Sequence, residues 1–118
     1  MELKDKRCVP CHSYVPPLSS EEKLKLLKDL HPDWKLVQDG AHLRRDFKFK
    51  NFKRALAFAN AVGNVAEEEK HHPELFLGWG HCDVELWTHT NQNLVENDFI
   101  LAAKIDGVFS QLYPEGGA

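Results

Sequence analysis

The sequence predicts an α+β domain in which a four-stranded antiparallel sheet carries three helices on one face. Two observations point there. Apolar residues recur at helical spacing in three separate stretches, beginning near residues 20, 52 and 96. Between them lie two pairs of short runs, each pair broken by glycine-bearing turn residues, which read as hairpins. The elements therefore follow in the order α-β-β-α-β-β-α, and hairpins make neighbouring strands antiparallel. Three amphipathic helices must cover something apolar, so one sheet face is covered and the other is left open to solvent, a partner subunit or a ligand.

Residues 1–18 hold Cys8, Pro10, Cys11, Pro16 and Pro17 with few large apolar side chains, so they read as an extended arm without regular elements, laid on the domain or loose beside it. Residues 19–118 form the single domain. Ser19 followed by Glu22 is a capping box, and Leu24, Leu27 and Leu30 recur at helical spacing, which predicts a helix from about 20 to 30. His31-Pro32 stops it, because a residue before proline is pushed out of the α region. Trp34 to Val37 is a short apolar run, Asp39-Gly40 suits a tight turn, and Leu43, Arg45, Phe47 and Phe49 alternate with polar neighbours, giving the first hairpin.

Asn51 caps the second helix, whose apolar positions Phe52, Ala55, Leu56, Ala59, Val62 and Ala66 keep the helical period until Pro73 ends it. Glu74 to Leu77 and His81 to His89 read as two strands about Gly78-Trp79-Gly80. Cys82, Val84, Leu86 and Thr88 then face one side, and Asp83, Glu85, Trp87 and His89 the other. The last helix runs from Glu96 to Leu112. Val95 stands where Ser or Thr would cap it, a role left to Asn97 or Asp98. Phe99, Ala102, Ala103, Val108 and Phe109 spread over more than one face of that helix, which predicts self-association through an exposed stripe.

A chain of 118 residues is one domain by length, and its formal charge of −3 without a basic block gives little drive toward nucleic acid. The longest apolar runs, Ala55 to Ala59 and Phe99 to Ala103, are far short of the roughly 20 residues that cross a bilayer. No apolar stretch follows Met1 to Arg7, so a cytoplasmic setting without a secretory signal is expected, with the three cysteines as thiols. Cys8-Val-Pro-Cys11 with His12 supplies only half of a structural zinc shell.

The chemistry-bearing residues are Glu67-Glu-Glu-Lys-His71-His72-Pro73 and Trp87-Thr88-His89. Carbonyls at a helix terminus favour imidazolium, and Glu67, four residues before His71, shares its helix face. His72, before Pro73, points elsewhere. If the strand ending at His89 lies beside the helix end, three imidazoles share a pocket suited to general acid–base catalysis. Each histidine alone would more often be a helix-end charge partner. A zinc shell of the three with Cys82 or Asp98 is disfavoured, because adjacent histidines lack the i, i+4 spacing that aims two rings at one ion.

Glu67 to Pro73, Trp79, Thr88-His89 and Asp98, together with the Leu18-Ser-Ser-Glu-Glu opening, Trp34, Phe47-Lys-Phe49-Lys-Asn-Phe52 and Glu96-Asn-Asp-Phe-Ile-Leu-Ala-Ala103, resemble the pterin-4a-carbinolamine dehydratase family from about Leu18 to Leu112. The resemblance implies dehydration of 4a-hydroxytetrahydropterin to quinonoid dihydropterin, recycling the pterin of aromatic amino acid hydroxylases, with no metal or organic cofactor. It implies that His71, His72 and His89 are catalytic, that Glu67 and Asp98 are pocket carboxylates, and that Lys70, Trp87, Thr88 and Thr90 line the pterin. Trp34 would stand near the pocket or fill the core. Family members form dimers and tetramers. Some also serve as dimerisation cofactors of a homeodomain transcription factor, and related proteins are assembly factors, so a non-catalytic binding or assembly role is the alternative reading.

Overall fold

Ser19 opens the first helix with the reciprocal bonds of a capping box: its hydroxyl accepts from Glu22 N–H, and the Glu22 carboxylate accepts from Ser19 N–H. These details come from a computed structural model, which describes residues 2–9, 15–114 and 118. Helix α1 spans Ser20–Leu27, shorter than expected, because Asp29 and Leu30 bond three residues back and the tightened turn drops Leu30 into the core.

Strands β1 (Lys35–Val37) and β2 (His42–Lys48) form the first hairpin, and Gln38, Asp39 and Gly40 all take positive φ in its turn. Asn51 caps α2 (Phe52–Glu69) by accepting from Arg54 N–H. Strands β3 (Glu74–Gly78) and β4 (His81–Leu86) form the second hairpin, and α3 spans Glu96–Leu112. The sheet order is β1-β2-β4-β3, antiparallel throughout, so β4 lies beside β2 and both hairpins join one sheet.

The alternation along β2 sends Leu43, Arg45 and Phe47 to the covered face, where Cys82, Val84 and Leu86 of β4 join them. Phe47 packs on Phe58 of α2 at 4.6 Å and on Phe109 of α3 at 5.1 Å between ring centroids, so both long helices lie over the same face. Arg45 is a buried cation there, matched by Asp106 at 2.7 Å.

Three expectations are corrected. Strand β4 ends at Leu86 rather than His89: its ladder with β2 stops at Leu43–Leu86, and Thr88 instead bonds Asn93 across a tight loop. The amino-terminal arm is not without elements, since Leu3–Asp5 forms a 3-10 turn that buries Leu3. The arm also packs on α3, with Lys104 Nζ donating to Lys4 O, and Phe109 turns to Phe47 and Phe58; Phe99 and Ala102 are buried and Ala103, Val108 and Phe109 half-buried rather than an exposed stripe. Large exposed apolar side chains stand mainly elsewhere, at Phe52 and Leu56 on α2 and at Phe76, Leu77 and Trp79 about the β3–β4 turn. Cys11 and His12 lie outside the described residues.

Candidate active site

Helix α2 ends where Lys70 turns left-handed, at φ 55° and ψ 38°, and the N–H groups of both Lys70 and His71 bond the Ala66 carbonyl. The chain reverses at that point. His71 is thereby carried out of the helix and under it, where its Nε2 lies 2.6 Å from Asp98 Oδ1. Asp98 is fully buried in the first turn of α3, and its other oxygen accepts from Thr88 Oγ1 and from Val95 N–H, each at 2.9 Å. The second of these bonds is the N3 half of a capping box on α3; the other half, from an N-cap side chain, is one that Val95 cannot make. One carboxylate therefore ties together the end of α2, the loop after β4 and the start of α3.

His72 stays exposed, and its Nε2 pairs with the Glu67 carboxylate. This corrects the expected pairing of Glu67 with His71. The i, i+4 relation holds only while the helix continues, and the reversal at Lys70 gives Glu67 to His72 and His71 to Asp98.

His89 is exposed in the loop and sets its ring against Trp87 at 4.8 Å with an interplanar angle of 74°. Trp87 in turn lies flat on His42, at 4.0 Å and 5°. His42 Nδ1 stands 2.6 Å from Glu85 Oε2, while Glu85 Oε1 accepts from Arg44 at 2.9 Å. Burial pulls the Glu85 carboxyl upward, but the hydrogen bonds and charges of His42 and Arg44 outweigh it and hold the group below the usual carboxylate range. Glu85 and then Asp46 stabilise the Arg44 guanidinium further. His42 and Glu85 are site neighbours that sequence reasoning missed. The signal is the register: Leu43 pairs with Leu86, so His42 falls opposite Trp87, and both point to the open face.

The remaining residues fall as follows. Lys70 and Thr90 are exposed beside these groups in sequence. Trp34 is only 2% exposed, with its N–H on Asp106 at 2.8 Å and its ring edge on Phe47. Cys82 faces the core, where burial, then the neighbouring Asp83, push its thiol up to about 11. Among the described residues, no group of three His, Cys, Asp or Glu is arranged to hold a metal ion.

The geometry thus forms three clusters: His71–Asp98–Thr88, His72–Glu67, and His42–Trp87–His89. They are joined through the chain, because His72 follows His71 and Trp87 and His89 flank Thr88. The two exposed imidazoles each sit one residue from the ends of the buried chain through Asp98.

Comparison with known proteins bears on what this arrangement serves. Residues 16–108 match the family model described as Pterin 4 alpha carbinolamine dehydratase. Relatives whose names contain the words pterin-4-alpha-carbinolamine dehydratase include one from Alkaliphilus metalliredigens (strain QYMF), 48% identical over 104 residues, or 88% of this chain and 93% of the relative. Another, from Rickettsia canadensis (strain McKiel), is 51% identical over 104 residues, covering 88% of this chain and 94% of the relative. The crystal structure of a transcriptional coactivator/pterin dehydratase from Brucella melitensis superposes with a TM-score of 0.74 at 32% identity, over 79% of this chain and 98% of that one. A pterin dehydratase-like protein identified as a RuBisCO assembly factor in the alpha-carboxysome shares the fold, with a TM-score of 0.57 at 24% identity over 66% of this chain and 90% of that one. On the family match and these identities, the chain belongs to the pterin 4 alpha carbinolamine dehydratase family.

Proposed function

We propose that the protein dehydrates 4a-hydroxytetrahydropterin to quinonoid dihydropterin and water, with His71, His72 and His89 exchanging the protons. The reaction breaks the C4a–O bond: a proton goes to the departing oxygen, a proton leaves a ring nitrogen, and the nitrogen electron pair forms the new C=N bond. One imidazolium and one neutral imidazole are sufficient. The observation that carries the reading is the buried His71–Asp98–Thr88 chain in a member of this family. In this reading His71 Nε2 donates to Asp98 Oδ1, which leaves Nδ1 as the nitrogen that exchanges a proton. Glu67 does the same for His72.

In this reading Lys70, Trp87, Thr88 and Thr90 contact the pterin, and no metal takes part, so a chelator leaves turnover unchanged. The reaction recycles the pterin of aromatic amino acid hydroxylases in the cytoplasm. The exposed Phe76, Leu77 and Trp79 suit self-association as a dimer or tetramer, which sedimentation measures directly.

The test is the decay of a freshly generated 4a-carbinolamine with and without purified protein. The protein accelerates decay, and His72→Ala or His89→Ala lowers turnover on the order of 100-fold or more while leaving the fold intact, since both side chains are exposed. Decay no faster than in buffer overturns the function. Parental turnover in both variants overturns the roles of His72 and His89.

A further inference from the structure

Residues 2–9 lie outside the stretch 16–108 that matches the family model, yet they are fastened to both sides of the seam where His71 meets Asp98. On the α2 side, Glu69 Oε1 accepts from Cys8 N–H at 2.8 Å, and Glu69 Oε2 stands 2.9 Å from Arg7 and 3.9 Å from Lys104. On the α3 side, the Asn97 carboxamide makes a two-way pair with Val9: Oδ1 accepts its N–H at 3.0 Å and Nδ2 donates to its carbonyl at 2.9 Å. Glu69 is the last residue of α2, two before His71, and Asn97 immediately precedes Asp98. Both are buried.

Packing alone does not call for this arrangement. Leu3 already tethers the arm through apolar contact, and buried polar side chains are costly unless satisfied. A satisfied polar network instead selects one arrangement of the elements it joins. Burial opposes ionisation of Glu69, but the Cys8 N–H bond and the Lys104 and Arg7 charges outweigh it and hold the carboxyl below its ordinary range.

We propose that Glu69 and Asn97 are positioning residues which, by gripping the main chain of Cys8 and Val9, hold the end of α2 and the start of α3 at the spacing the His71–Asp98 bond requires. The arm thereby becomes part of the catalytic scaffold. This rests on the reading of His71 as a proton-exchanging residue, and the experiment separates the two.

In the full-length protein, Asn97→Ala, Glu69→Ala and Glu69→Gln are compared by carbinolamine turnover and by the His71 ring signals in ¹⁵N NMR, where the Nε2 proton reports the bond to Asp98. The two alanine variants lower kcat roughly tenfold to hundredfold with KM little changed, and shift the His71 signal. Glu69→Gln keeps the acceptor for Cys8 N–H and restores most of the rate. Should Asn97→Ala fail to fold, Asn97→Asp, which replaces the donor to Val9 with a charged acceptor, is read by the same measurements. Folded alanine variants with parental kcat and an unmoved His71 signal overturn the proposal. A parent protein without dehydratase activity overturns the functional reading instead, and the His71 signal then decides the positioning role alone.

Discussion

His71 and Asp98 are 27 residues apart in the chain and 2.6 Å apart in the fold, and neither element that carries them ends in a regular way. Helix α2 stops on a left-handed Lys70, and α3 begins on a valine that cannot cap it. The same carboxylate that receives His71 also accepts the Val95 N–H and so fastens the start of α3.

Asp98 therefore supports both stability and the site. Asp98→Ala strands His71, Thr88 and the Val95 N–H together, and a broken buried pair costs about 3–5 kcal/mol, measurable by urea denaturation. Thr88→Val removes one bond to the carboxylate and costs about 1.5 kcal/mol. Both lower turnover, Asp98→Ala the more severely, because His71 loses the partner that fixes which nitrogen carries the proton.

Glu69 and Glu85 make stability depend on acid. Each carboxyl sits below the ordinary value of 4.5 in the folded protein, so the stabilisation is fully present above 4.5 and is lost as pH falls through the lower native value. Denaturation midpoints therefore drop on acidification below 4.5, and Glu69→Gln or Glu85→Gln makes that drop shallower. A slope identical to the parent in both variants contradicts the assigned partners.

The stack of His42 on Trp87 backs the ring against which His89 rests. His42→Ala removes it at a cost of about 0.5–1.5 kcal/mol beyond lost area and changes the near-ultraviolet dichroism of Trp87. His42→Phe keeps a flat partner and returns the signal. Turnover follows the same order, parent and His42→Phe above His42→Ala.

What could be read in the sequence was what short range determines. The Ser19 and Asn51 caps and the alternation of Leu43 to Phe49 depend on neighbours within a few residues, and the structure has them as read. That Asn97 or Asp98 would help to start α3 was also legible from the missing cap at Val95, and Asp98 is the one that bonds the Val95 N–H. The end of α2 was not, since Pro73 is the visible stop, whereas the helix ends earlier through a positive φ at a lysine that carries no local signal for it. That single turn reassigns Glu67 from His71 to His72. The contact of His42 with Trp87 depends on the register of β2 with β4, strands far apart in the chain, which no local pattern states. Whether the arm lies on the domain was open for the same reason: its partners, Glu69 and Asn97, are remote in sequence.

In the proposed reaction His71, His72 and His89 meet one pterin. Titrating ¹⁵N-labelled protein with a dihydropterin, the reaction's product class, tests it without turnover. The ring signals of all three histidines move together along one binding curve, while His31, in the turn after α1 with its N–H toward Asp106, stays in place. Signals of His71, His72 and His89 that remain fixed at saturating pterin, or that move along separate curves, contradict it.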